Sequence, residues 1–169
     1  GGGGRGGGGA VGVGGGCGHG GLRGGGLASS AAQEMALALD IPLCAISSLA
    51  ELAMQAPENC AAILAVIDAR MGEIYAGTFR RTDQGLVEAI GAEFVGSAGG
   101  LQLPTQPAWN VIGSGWASYR DVLLARLPAA PLWVDGERYP QAGDIALLAR
   151  PLVREGLGVA PEFALPVYL

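Results

Sequence analysis

One histidine and three cysteines leave little from which to build a metal site. His19 stands alone, and Cys17, Cys44 and Cys60 follow none of the CxxC or HxxxH spacings that hold a tetrahedral ion. An odd number of cysteines without framework spacing also argues against a disulfide scaffold and for a reducing, cytoplasmic setting. Basic clusters are absent apart from the adjacent Arg80 and Arg81, and the formal net charge is −5. A protein that grips RNA phosphates unaided carries a basic patch. Any role in RNA metabolism would therefore leave the RNA to another subunit. No apolar run reaches the roughly 18 residues of a membrane span. The best stretch, Met35 to Met54, is broken by Asp40, Pro42, Ser47, Ser48 and Glu51. No signal peptide is visible, and Ser47 and Ser48 lack any histidine base other than His19.

What the chain does have is apolar material: half of its 169 residues, enough for a core. Gly1 to Gly26 is mostly glycine, far above the usual ~7%. Three readings stand: a flexible tail, a phosphate loop, or glycine standing in for unassigned side chains. From Leu27 the composition is that of an ordinary globular protein. Leu27 to Leu39 is rich in strong helix formers and ends at Asp40-Ile41-Pro42. Being apolar almost all round, this helix is expected to be buried. Leu43 to Ile46 reads as a buried strand. Ser48-Leu49-Ala50-Glu51 reads as a capping box opening a helix towards Gln55.

Beyond Cys60 the pattern is a meander. Ala61 to Ile67 is a central strand, and Asp68 to Gly72 a turn. Glu73 to Arg80 is a second strand, with Tyr75, Gly77 and Phe79 on one face and Ile74, Ala76 and Thr78 on the other. Leu86 to Val95 is a third. A short strand at Val111-Ile112 leads through Gly113-Ser114-Gly115 into a helix from Trp116 to Leu127. Leu132 to Val134 is a further short strand. The last helix follows Asp144 as N-cap, is kinked at Pro151 and ends at Gly156. Elements in this order predict an α/β protein of mixed sheets covered by helices.

Three sites carry possible chemistry. Glycines ahead of the Leu27 helix could cradle an anion on helix amides, or only allow tight turning. Asp68 closes a buried strand, where α/β folds place ligand groups, with Arg70 and Glu73 beside it. It could equally be a turn aspartate bonding nearby amides. Gly113 and Gly115, between strand and helix, could form a phosphate nest or simply a turn. The three tryptophans are too scattered for a stacking platform and read as core or interface residues.

Three strings carry a family resemblance: "QEMALALDIPLCAISSL" from Gln33, "AILAVIDARMGEIYAGTFRR" from Ala62, and "VIGSGWASY" with the terminal "PVYL". They resemble the TsaB (YeaZ) family, non-catalytic partner subunits of the machinery that makes threonylcarbamoyladenosine in tRNA. The "IDARMGEIY" core, with Asp68, Arg70, Gly72, Glu73 and Tyr75, is the most family-specific of these. The resemblance implies an actin/Hsp70-like (ASKHA) fold of two lobes, residues 1–60 completing a first and 61–169 forming a second. The first lobe would lack its opening strands, since nothing matches the family's "LALDTST"-like start. The family's "GPGSFTGxR" loop, counted back without gaps from Ser47, falls on residues 18–26, where Gly18, Gly20 and Gly24 match. A rival register ends the motif at Gly21-Leu22-Arg23 with a three-residue insertion. The resemblance also implies partners. The catalytic paralogue TsaD would supply ATP-dependent transfer and a metal-binding histidine pair, and the ATPase TsaE would join them. The small-residue helix stripe Ala28, Ala31, Ala32 and Met35 would be the pairing surface, for TsaD or for a second copy of the chain. No cofactor or metal of its own is implied.

Overall fold

The run from Ala62 to Ile67 is hydrophobic without alternation, as a strand covered on both faces must be, and it forms the middle of the larger sheet. The computed structural model describes residues 11–14 and 34–160. Strand β3 (Ala62–Arg70) pairs antiparallel with β4 (Glu73–Arg81) and parallel with β7 (Asn110–Ile112). Strand β8 (Trp133–Asp135) adds in parallel to β7. The order is β5 (Val87–Ala89), β4, β3, β7, β8, with β6 (Phe94–Ser97) also on β4. The third meander strand is split in two. β5 (Val87–Ala89) pairs with Phe79–Arg81, β6 (Phe94–Ser97) with Glu73–Ala76, and Gly91 to Glu93 leave the ladder between them.

The alternation of β4 sorts the core into two clusters. Leu64, Val66, Ile74, Ala76 and Val111 face Trp109, Trp116, Leu123 and Leu127. Ile63, Ala65, Ile67, Phe79 and Ile112 face Leu49, Leu52 and Ala53. Helix α3 (Ser114–Leu124) thus covers one side of the sheet and α2 (Ser48–Met54) the other.

The start of α2 differs from the expected capping box. Ser47, not Ser48, is the N-cap, with extended φ/ψ of −66° and 133°. Its Oγ accepts from the amides of Leu49 (3.1 Å) and Ala50 (3.4 Å), and its hydroxyl donates to Glu93. With the cap moved back by one residue, Glu51 stands too far along the helix to close a box and is buried instead. The helix has no basic residue in its last turn. Arg81 supplies that charge from β4, donating to the carbonyls of Ala53, Met54 and Ala56.

The remaining elements form a separate unit. Strand β1 (Val11–Gly14) lies within the glycine-rich segment and pairs in parallel with β2 (Leu43–Ile46). Residues 34–39 are helical (α1) and end as expected at Asp40, which takes a φ of 51° before Ile41-Pro42. Helix α4 (Ile145–Arg154) packs on β1 and β2. It ends with Gly156 at φ 68°, Leu157 N–H bonding Leu152 O and Gly156 N–H bonding Val153 O. This is the paired closure that left-handed glycine permits. Asp144, expected as its N-cap, ends a 3₁₀ turn (Ala142–Asp144) that precedes it.

Two expectations need correction. The chain divides into Gly1–Ile46 with Ile145–Tyr168, and Ser47–Asp144, so residue 60 falls inside the second unit. The reason is packing: α2 and Cys60 share an apolar cluster with β3 and β4. Nor is α1 buried almost all round. Ala36 is buried, but Met35, Leu37 and Leu39 are 57%, 52% and 62% exposed.

Candidate functional site

Three parallel strands of the larger sheet, β3, β7 and β8, end on the same edge, where open α/β sheets keep their ligand crevices. Asp68 stands near the end of β3, Ser114 just after β7 and Asp135 at the end of β8. Gly113 N–H donates to the Asp135 carbonyl at 2.9 Å, tying the second and third ends together.

The Gly113-Ser114-Gly115 turn is shaped by β3. Gly113 has φ 111° and ψ 166°, a region open essentially to glycine alone. A Cβ there would run into the Val66 carbonyl oxygen and the Leu52 side chain; one on Gly115 would strike the Val66 side chain. The two glycines let α3 begin directly against the backbone of its neighbour strand. Ser114 completes the junction, its Oγ accepting the Asp68 amide at 3.2 Å.

Asp68 then gathers donors from both sides of that junction. Its Oδ2 accepts the Ser118 hydroxyl at 2.7 Å. Its Oδ1 accepts the Arg70 amide at 2.8 Å and the Tyr119 hydroxyl at 3.4 Å. The Ser118 bond, followed by those from Arg70 and Tyr119, holds the carboxyl below its usual range. Tyr119 is pushed the other way, by burial and by the Asp68 charge. The helix is irregular at Tyr119 (φ −129°, ψ 27°). An ionised aspartate whose lone pairs are mostly taken by its own chain is a clamp rather than a general base. It fixes the β3–β4 hairpin to α3.

That hairpin is tightly wound. The register slips between Asp68 and Arg70, and Arg70, Met71 and Gly72 have φ of 67°, 53° and 83° in succession. Met71 and the neighbouring Arg70 and Glu73 are exposed. Of the residues in the family-specific string, the fold thus brings Asp68 and the Arg70 amide together, while Tyr75 packs with the apolar cluster on the opposite face of the sheet. Gly18, Gly20 and Gly24, and Ala28, Ala31 and Ala32, lie outside the described residues. Sequence reasoning missed Ser118, Tyr119 and Asp135. For Ser118 and Tyr119 the signal was their place in the string "VIGSGWASY", early in a predicted helix. No group of three or more metal-ligating side chains occurs among the described residues, and no described helix is long and apolar enough to cross a membrane.

Comparison with known proteins places this geometry. The family model for tRNA N6-adenosine threonylcarbamoyltransferase (TsaD) matches residues 10–124. The tRNA threonylcarbamoyladenosine biosynthesis protein TsaB of Escherichia coli (strain K12) is 34% identical over 146 residues, covering 82% of this chain and 61% of the relative. The chain therefore spans about three-fifths of that protein's length. YeaZ from Pseudomonas aeruginosa superposes with a TM-score of 0.81 at 35% identity, over 95% of this chain and 73% of that one. A protein described as similar to peptidase YeaZ from Pseudomonas aeruginosa superposes with a TM-score of 0.80 at 34% identity, with the same coverage.

Proposed function

The chain belongs to the family that the tRNA N6-adenosine threonylcarbamoyltransferase (TsaD) model describes, on its TsaB (YeaZ) side, and from that membership we propose that it serves threonylcarbamoyladenosine formation in tRNA as a non-catalytic subunit pairing with the catalytic TsaD-type protein. The fold is ASKHA-like, a frame shared by enzymes and their partners, so beyond the family membership it is side chains and not the fold that support this role.

The carrying observation is the exposed apolar side of α1. Met35 and Leu39 stand four residues apart and so share one helix face, and both are more than half exposed. A contiguous apolar stripe of this kind on a folded protein marks an interaction surface. Its geometry suits a helix-to-helix contact read through positions one turn apart. Two features speak against chemistry of the chain's own. One histidine cannot make a metal-binding pair. The Asp68 carboxylate, the best-placed acid on the crevice edge, is engaged by Ser118, Arg70 and Tyr119. ATP and metal then belong to the TsaD-type subunit, with TsaE as a further partner. A net charge of −5 fits a subunit that leaves tRNA phosphates to others.

Titration calorimetry of the chain against the TsaD-type protein tests the surface. Burying a central Met contributes about 2 kcal/mol in a typical interface hot spot, and introducing a charge there adds a desolvation cost. Met35→Asp should therefore weaken the complex at least about thirtyfold while leaving the melting temperature nearly unchanged, because Met35 is already exposed in the free chain. Equal affinity for wild type and variant would remove α1 from the interface.

A further inference from the structure

The split of the third meander strand leaves a gap beside β4. β6 pairs with β4 as far as Ala76 and β5 takes over at Phe79, so Gly77 and Thr78 have no strand alongside them on that edge. Gly91 and Ala92 pass the gap, and with Phe94 and residues 101–104 they line a cavity of about 270 Å³. All of these residues belong to the Ser47–Asp144 unit. Thr78 brings two unmet polar groups to the cavity. It is only 6% exposed, yet its hydroxyl makes no hydrogen bond with a described residue. Its backbone faces the same way. The Arg81 amide turns to Ala61 on the β3 side at 3.1 Å, so by alternation Thr78 turns outward, and its carbonyl accepts the Ile90 amide at 2.8 Å. The N–H and C=O of one strand residue point to the same side. The Thr78 amide therefore also faces outward, and no described carbonyl accepts it. Buried polar groups are nearly always paired, so an amide and a hydroxyl left open side by side in a cavity are recognition groups.

The rest of the lining selects the ligand. No ionisable side chain lines the cavity, so nothing there offsets the cost of bringing a phosphate or carboxylate out of water. Phe94, Leu101 and Pro104 supply apolar surface, and Gln102 a carboxamide with both donors and an acceptor. The volume lies just below the ~300 Å³ at which drug-sized pockets begin, which is room for a single ring. We propose that this cavity binds a small uncharged cyclic amide, of the kind found in pyrimidine bases, with Thr78 as its recognition residue. A ring carbonyl would accept from the Thr78 amide and hydroxyl, a ring N–H would serve Gln102, and the flat faces would lie on the apolar walls. Gly91 keeps the cavity open. A Cβ there would stand 3.6 Å from Thr78 Oγ1 and 3.8 Å from Pro104 Cγ, ordinary contact distances, and Gly91 has no positive φ. Alanine thus fits without strain while filling the space beside the hydroxyl.

Titration of the isotope-labelled full chain with uracil, followed by backbone amide NMR shifts, tests this. A ligand of that size should bind with a Kd of about 1 mM and move the amides of Thr78, Gly91 and Gln102. Gly91→Ala, which occupies the space, and Thr78→Val, which keeps the shape and removes the hydroxyl, should each weaken binding about tenfold, the scale of one lost buried hydrogen bond. The spectrum of Gly91→Ala without ligand should match wild type outside the cavity, which separates lost binding from lost folding. Orotate, the same ring bearing a carboxylate, should bind at least about tenfold more weakly than uracil, because its charge would enter unpaired. No shift of those three amides with uracil, shifts centred elsewhere, equal affinity of wild type and Gly91→Ala, or orotate binding as tightly as uracil would each overturn the proposal.

Discussion

Gly113→Ala destabilises the Ser47–Asp144 unit by about 3 kcal/mol or more, lowering the melting temperature by roughly 10 °C. Two costs add. Alanine at φ 111° and ψ 166° leaves every region open to L-residues, which accounts for about 1–3 kcal/mol. Its methyl group would also enter the space of the Val66 carbonyl oxygen and the Leu52 side chain. The carbonyl belongs to the central strand and is held by the sheet, so it cannot yield cheaply. The loss has a functional side, because the same junction holds Ser114 on the Asp68 amide and brings Ser118 to the Asp68 carboxylate. Gly143→Ala is the matched control: it meets no atom within 4 Å and has no positive φ, so its melting temperature should match wild type within about 2 °C, as for an ordinary surface change. Thermal melts of the two variants side by side check the pair.

Arg81→Leu is the second large effect, about 2–3 kcal/mol, the scale of lost hydrogen bonds to a charged group. The guanidinium donates to Ala53, Met54 and Ala56 and, through Nη1, to the Gly85 carbonyl at 3.1 Å. It therefore closes the C-terminus of α2 and the β4–β5 turn at once. Helix ends leave carbonyls that need such partners, and a cation also suits the negative end of the helix. α2 has only seven residues and no basic residue in its own last turn, and of these carbonyls only that of Ala53 also accepts a backbone amide, from Ala56 at 3.1 Å. Burial lowers the Arg81 pKa, a sign that the charge is tolerated for what it binds. Arg81→Lys keeps the charge but loses the planar fork, and should fall between wild type and leucine in a urea titration. A leucine variant as stable as wild type would show that water satisfies those carbonyls just as well.

How much of this could be read from the sequence depended on whether the cause was local. The ends of α1 at Asp40-Ile41-Pro42 and of α4 at Gly156 follow from single residues with strong backbone preferences, and both appear where expected. The alternation from Glu73 to Phe79 sorted Tyr75 and Phe79 from Ile74 and Ala76 correctly, because a strand's period of two is a local property. The shift of the α2 cap from Ser48 to Ser47 turns on Glu93, 46 residues away in sequence. Adjacent serines offer two registers, and only tertiary structure chooses between them. The Asp68 clamp has the same character, since Ser118 and Tyr119 come from a helix about fifty residues downstream. Gly113 and Gly115 were singled out as a possible phosphate nest. Their packing against β3 gives them a structural reason that no spacing in the sequence could reveal. Strand β1 was hidden by composition, because glycine carries no strand preference. The exposure of α1 could not be read either: an apolar helix looks alike whether its cover is its own chain or another's.

The most direct test of the account is reconstituted threonylcarbamoyladenosine formation on unmodified tRNA, with the TsaD-type subunit, TsaE and the other pathway components present and this chain added or withheld. The account predicts modification that depends on the chain, saturates as it reaches equivalence with the TsaD-type subunit, and falls with Met35→Asp. Full modification without the chain, or threonylcarbamoyl transfer by the chain when the TsaD-type subunit is withheld, would contradict it.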